Sequence, residues 1–127
     1  MGNNFVDFTE LKPIGVTGHI VPWNFPLGMA FRAVAPALAA GCTVVLKPDE
    51  NSSLSALALG NLISDVGFPK GVFNIVTGFG EEAGLHICEN KLLQTFMCLN
   101  PSQRILHNFH RFVMIVVSLI TMLLRPL

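Results

Sequence analysis

The chain has 127 residues, which is the size of one small domain. Its hydrophobic content of 51% with only 13% charged residues is typical of a packed core and excludes an intrinsically disordered protein. The formal net charge is zero, without the basic patch that nucleic-acid binding requires, so we expect no nucleic-acid partner.

The first predicted strand and helix follow a short polar beginning. Residues 1–10, MGNNFVDFTE, have neither the basic stretch nor the apolar run of a secretory signal peptide. Residues 14–21, IGVTGHIV, form an apolar, β-branched run of strand length. Residues 26–41 then predict a helix that begins with Pro26 at its first position and ends at Gly41.

The second strand and helix repeat this order. Residues 42–47, CTVVLK, predict a strand that is apolar enough to be buried on both faces. Residues 53–67 predict a helix with Ser53 as its N-cap and Gly67 at its end. Apolar residues at helical spacing predict that its buried face consists of Leu54, Leu57, Ala58, Leu62 and Val66.

A third strand and helix complete the regular part of the chain. Residues 72–77, VFNIVT, predict the strand, and residues 81–90 predict a helix whose first turn carries Glu81 and Glu82. Strands that alternate with helices indicate a parallel α/β sheet with right-handed crossovers. The order βαβαβα therefore predicts one half of a doubly wound, Rossmann-like fold.

The composition changes near residue 88. All eleven glycines lie between Gly2 and Gly84. Residues 112–124, FVMIVVSLITMLL, contain no charge, but a membrane-spanning helix needs about 20 apolar residues. We therefore divide the chain into a partial α/β domain at 10–88 and a divergent, apolar tail at 89–127 that is helical or disordered. We favour a tail foreign to the fold over a membrane anchor.

Polar or glycine-rich segments follow all three predicted strands, where ligands bind in open α/β sheets. They are PWNFP at 22–26, KPDE at 47–50 and GFG at 78–80. The ammonium and carboxylate of the second segment can hydrogen-bond sugar hydroxyls, and a carboxylate there favours NAD over NADP because it repels a 2′-phosphate. On residue types alone, a solvated ion pair in a loop is the slightly favoured alternative.

The histidine of the first strand and the three cysteines have plainer interpretations. His19 lies inside an apolar strand, so we interpret it as a core histidine rather than a catalytic base. Cys42, Cys88 and Cys98 lack metal-ligand spacing. They predict reduced thiols of an intracellular protein and no metal site.

Residues 12–87 resemble the NAD(P)-binding region of the aldehyde dehydrogenase superfamily. The resemblance rests on four motifs together: PWNFP at 22–26, APALAAGCTVVLKP at 35–48, LSAL at 54–57 and GFPKGVFNIVTGFG at 67–80. It implies that residues 10–88 are part of an NAD-binding domain. It also implies an oxidoreductase that converts an aldehyde to a carboxylic acid through a thiohemiacetal on a cysteine.

The resemblance also assigns roles to single residues. Asn24 matches the asparagine whose amide helps to hold the oxyanion formed when a thiolate attacks the aldehyde carbon. The cofactor-binding residues that it implies are Val21, Pro22, Trp23, Lys47, Glu50 and Gly80. Among these, Lys47 and Glu50 match the pair that binds the adenosine ribose, and Gly80 matches a glycine that lies against the adenine.

Several elements of the family are missing from this sequence. The family continues with a further strand, a glycine-rich turn beneath the cofactor phosphates, a glutamate base, a nucleophilic cysteine and an oligomerisation arm. We identify none of these here, and we assign none of the three cysteines to catalysis. The resemblance thus implies NAD as cofactor and an aldehyde as substrate, but a chain that is inactive alone. The family is homo-oligomeric, but this chain lacks the oligomerisation elements.

Two other functions and two general properties complete the expectations. The chain could instead be a non-catalytic module that binds NAD or a partner protein. It could also be a membrane-associated fragment held by residues 112–124, which we favour less. We expect a cytoplasmic protein of marginal stability, because half of a doubly wound sheet exposes a strand edge and apolar helix faces.

Overall fold

The fold is a small parallel sheet with helices on both faces, seen in a computed structural model that describes residues 8–98. The elements in chain order are β1 (Val16–Ile20), α1 (Pro26–Ala39), β2 (Thr43–Lys47), α2 (Ser53–Asp65), β3 (Phe73–Ile75), a π-helical turn (Gly80–Gly84), α3 (Leu85–Glu89) and β4 (Thr95–Cys98). The predicted fold class, a partial Rossmann-like α/β sheet, is confirmed.

The four strands lie in the order β3-β2-β1-β4, and each neighbouring pair is parallel. The chain therefore adds strands outward from β1 to β3 and then crosses back to place β4 on the other side of β1. Such a reversal of direction is the topological switch point of a doubly wound sheet. Here it lies between β1 and β4.

The ends of α1 follow the predicted capping residues. Pro26 is in the first turn, where its missing N–H leaves no donor unpaired. Gly41 adopts φ 79°, and its N–H donates to the carbonyl oxygen of Leu38 at 3.0 Å. This left-handed residue directly after the helix is the stop that the sequence predicts. Pro36 lies inside the helix.

The core lies between the sheet and the helices α1 and α2. Val44 and Leu46 of β2 are fully buried, and they pack against small residues of α1 such as Ala30 and Ala33. Ala56 and Leu59 of α2 complete the cluster. Small side chains on α1 allow the helix to approach the sheet closely, while the branched residues of β2 fill the space between them.

The predicted buried face of α2 is wrong. Leu54, Leu62 and Val66 are exposed, whereas Ala56 and Leu59 are buried. The helix is apolar around most of its circumference, so spacing alone does not identify the side that faces β2 and α1. The predicted N-cap also shifts by one residue, because Ser52 precedes the first helical residue.

The opposite face of the sheet is covered by the π-helical turn and α3. Successive residues of a strand point to opposite faces, so Ile20 and Lys47 point away from the core cluster that contains Leu46. A Cβ on Gly84 would lie 3.5 Å from Cδ1 of Ile20 and 3.9 Å from Cδ of Lys47. Both distances are ordinary van der Waals contacts, so the turn at Gly84 lies close to these two residues.

The expectation that no further strand follows the third helix is wrong. Residues Thr95–Cys98 form β4, in register with Thr17–Ile20 of β1. The sheet therefore extends beyond residue 88, where we placed the end of the α/β domain. The domain boundary stays a prediction, and residues 99–127, including the apolar segment 112–124, lie outside the described residues.

Candidate functional site

The candidate site lies at the carboxyl edge of the sheet, beside the switch point. The strands β1 and β2 end together there, and the N–H of Val21 donates to the carbonyl oxygen of Lys47 at 3.0 Å. This bond joins the PWNFP segment directly to the KPDE segment. The structure therefore brings together two of the three strand exits that the sequence identifies as candidate ligand-binding segments.

The PWNFP segment forms a tight bend whose large side chains point into solvent. Trp23 is 65% exposed and Phe25 is 78% exposed, whereas Val21 is buried and Pro22 is half-buried. Phe25 has φ 54° and ψ 56°, a left-handed conformation that is rare for a bulky residue. This local strain turns the chain from β1 into α1 and leaves Asn24 at the apex of the bend. Within residues 8–98, no hydrogen bond holds the Asn24 side chain.

Lys47 and Glu50 form a partly buried ion pair at the end of β2. Their Nζ and Oε2 atoms are 3.2 Å apart, and the side chains of Lys47 and Glu50 are 3% and 36% exposed. The ammonium is therefore enclosed by protein, with the carboxylate between it and solvent. An enclosed cation is stable only with such a partner.

A hydrogen-bonded turn positions this carboxylate. Oδ1 of Asp49 accepts hydrogen bonds from the backbone N–H and the side-chain amide of Asn51, both at 3.0 Å. The carbonyl oxygen of Asp49 accepts a further bond from the Ser53 hydroxyl at 2.9 Å. Glu50 therefore projects from a turn that is fixed on both sides and joined to the start of α2.

The GFG segment follows β3 and leads into the π-helical turn. Gly80 is the first residue of that turn and is half-buried. Gly78 has φ 145°, and a Cβ there would lie 2.9 Å from Cβ of Ala83. The family resemblance implies a role only for Gly80, yet Gly78 is the glycine whose lack of a side chain this packing requires. Its place directly after the third predicted strand was the available signal.

His19 is buried in β1, as the sequence predicts. The Thr17 hydroxyl donates a hydrogen bond to the Thr43 carbonyl oxygen at 2.9 Å. Oγ1 of Thr17 is therefore the acceptor in its second hydrogen bond, also 2.9 Å long, and Nε2–H of His19 is the donor. Nδ1 then carries a lone pair, and it has no partner among the described residues. Burial lowers the pKa of His19 to about 4, so the ring is neutral at neutral pH.

The Cys88 and Cys98 thiols are not activated. Burial, which contributes most, together with the neighbouring Cys98 and Glu89 raises the pKa of the Cys88 thiol to about 12. Burial also raises the pKa of Cys98 to about 11, although the charge of Lys47 opposes this change. Both thiols are protonated at neutral pH, and a protonated thiol is a poor nucleophile.

Residues 8–98 contain neither a metal-binding cluster nor a membrane-spanning helix. No three histidine, cysteine, aspartate or glutamate side chains within residues 8–98 are grouped so that they could hold a metal ion. No helix within these residues is both long and apolar enough to cross a membrane.

Comparison with known proteins identifies the family. The profile of the aldehyde dehydrogenase family matches residues 2–98, which is most of the chain. The chain belongs to the aldehyde dehydrogenase family. The match extends from before β1 through β4, so it includes the fourth strand, which was not predicted from the sequence.

Individual relatives share about half of the residues in the matched region. The chain is 58% identical over 81 residues to hydroxyisobutyraldehyde dehydrogenase of Mycolicibacterium austroafricanum, covering 64% of this chain and 16% of that protein. It is 56% identical over 87 residues to aldehyde dehydrogenase 1A1 of Gallus gallus, covering 68% of this chain and 17% of that protein. The chain thus spans about one sixth of the length of these relatives.

A solved structure agrees with the sequence comparison. The NAD⁺ complex of an aldehyde dehydrogenase from Bacillus cereus superimposes with a TM-score of 0.67 at 47% sequence identity. The superposition covers 68% of this chain and 18% of that protein.

Proposed function

We propose that this chain carries part of the cofactor site of an NAD-dependent aldehyde dehydrogenase, a protein that oxidises aldehydes to carboxylic acids. The observation that supports this most is the Lys47–Glu50 pair at the carboxyl edge, next to the switch point of the sheet. Nucleotide cofactors bind at such switch points. The NAD⁺ complex of the Bacillus cereus relative, with the same fold, supports the choice of ligand.

The ion pair fits the hydroxyl groups of a ribose. Within residues 8–98, the Lys47 ammonium donates one hydrogen bond, to Oε2 of Glu50. An ammonium has three N–H donors, so others can reach a ligand. Glu50 keeps a second carboxylate oxygen that can accept a proton from a hydroxyl group. The same negative charge would repel the 2′-phosphate of NADP, so we propose NAD as the preferred cofactor.

The neighbouring bend fits the reacting end of such a cofactor. We propose that Val21, Pro22 and Trp23 line the cofactor beyond the ribose and that Gly80 lies against its adenine. The amide of Asn24, free of other hydrogen bonds within residues 8–98, would donate to an oxygen on which negative charge develops. NAD, when bound, accepts a hydride from the substrate.

The chemical step itself requires a nucleophile with a lower pKa than the thiols of Cys88 and Cys98. Cys88 and Cys98 are held protonated by burial. We therefore propose that the described residues bind and orient the cofactor. Aldehyde oxidation then needs other parts of an aldehyde dehydrogenase. Formation of NADH from NAD and a panel of aldehydes by this purified chain would contradict the proposal.

Calorimetry tests the cofactor site directly. We expect NAD to bind more tightly than NADP, and we expect Lys47→Met and Glu50→Gln each to weaken NAD binding about tenfold or more, since each removes a hydrogen bond to a charged group. Lys70→Met is the matched control, because Lys70 is an exposed lysine away from the edge. Equal affinity of all three variants and the parent chain for NAD would refute the assigned site.

A further inference from the structure

A groove between α1 and α2 has no role in the proposed cofactor site. Its volume is about 480 Å³, and all of its lining side chains are apolar. They include Phe31 and Leu38 of α1, Leu62 of α2, and Val66 and Phe68, which follow α2. The groove therefore offers a continuous apolar surface with no group that would bind a polar ligand.

Much of this surface is exposed. Leu62 is 60% exposed, Val66 is 71% exposed, and Phe31 and Phe68 are about half exposed at 51% and 42%. Contiguous exposed apolar surface of this kind is typical of a surface that packs against another segment or protein. The groove runs along the later turns of both helices, and these lead back toward the amino edge of the sheet. It is thus separate from the carboxyl edge.

We propose that the apolar segment 112–124 of the same chain covers this groove. The segment has thirteen residues without a charge, between Arg111 and Arg125. As a helix it would be about 20 Å long, close to the length of about 21 Å expected for the fourteen residues of α1. It is too short to span a bilayer, which needs about 20 apolar residues.

The connection is long enough for this contact. Residues 99–111 lie between the end of β4 and the segment, and an extended chain of that length reaches about 43 Å. The path from the carboxyl end of β4 to the groove crosses one strand length of about 17 Å and one layer of about 10 Å. Tethering also gives the segment an effective concentration near the millimolar range, which favours it over a separate partner.

Limited trypsin digestion of the full chain tests the contact, with cleavage after Arg111 followed by mass spectrometry. We expect Leu62→Glu to accelerate this cleavage about tenfold or more, because it places a charge in the covered groove without adding a trypsin site. Leu54→Glu is the matched control, since Leu54 lies on the same helix, is 83% exposed and does not line the groove. It should change the rate by less than about twofold.

A reciprocal variant separates docking from a loss of folding. Ile120→Glu should release the segment as Leu62→Glu does, and the double variant should be no faster than either single one. Equal cleavage rates in Leu62→Glu and the parent chain would overturn the proposal. So would protection that rises with protein concentration, which indicates a second copy in the groove. Protection that appears only with phosphatidylcholine vesicles would overturn it in favour of a membrane.

Discussion

The buried histidine of β1 makes the stability of this protein depend on pH in a calculable way. The His19 ring is 5% exposed, its Nε2–H is used by Thr17, and its Nδ1 has no partner among the described residues. Burial lowers its pKa to about 4 in the folded protein, from the ordinary value of 6.5. Protonation would place a charge in the core with nothing to stabilise it.

The sign and size of the effect follow from this difference in pKa. Above pH 6.5 the ring is neutral in both states, so its pKa shift does not change the stability. Between pH 6.5 and 4 the unfolded chain binds the proton first, and each pH unit removes about 1.4 kcal/mol of stability. The total loss by pH 4 is about 3 kcal/mol, which is a large part of the stability of a small domain.

Urea unfolding followed by circular dichroism at pH 7.5 and pH 4.5 measures this loss. His19→Gln keeps a hydrogen-bond donor but cannot titrate, so it should lose less stability than the parent chain between these two values. Comparing the chains cancels the contribution of the carboxylates, which titrate in both. The reasoning would be refuted if both chains lost the same stability, or if NMR titration gave His19 a pKa near 6.5.

Two further predictions concern packing. Leu46→Ala should lower the free energy of unfolding by about 3 kcal/mol, because Leu46 is fully buried. Leu54→Ala should change it by less than about 0.5 kcal/mol, because Leu54 is 83% exposed. Denaturant titration measures both changes. Gly78→Ala should lower the melting temperature more than Gly71→Ala, since both glycines have positive φ but only at Gly78 would the new Cβ clash, 2.9 Å from Cβ of Ala83. A larger loss for Gly71→Ala would show that the contact with Ala83 relaxes freely.

The sequence by itself determined the order of elements and the segments that form the candidate site. Alternation of apolar runs with helical periods predicted three of the four strands, because each period follows from backbone geometry within a few residues. The helix ends at Gly41 and Gly67 were also predictable from local sequence, because each glycine adopts a positive φ directly after a helix. The polar residues after β1 and β2 were visible as exceptions within apolar surroundings.

The tertiary structure decided what depends on neighbours far along the chain. The strand β4 has only four residues, and it is recognisable through its pairing with β1 rather than through its own sequence. The buried face of α2 depends on where the helix lies relative to β2 and α1, because nearly its whole circumference is apolar. Lys47 is enclosed where the turn at Gly84, 37 positions further along the chain, lies close to its stem. Local patterns set the conformation of each segment, but burial and pairing are properties of the assembled sheet.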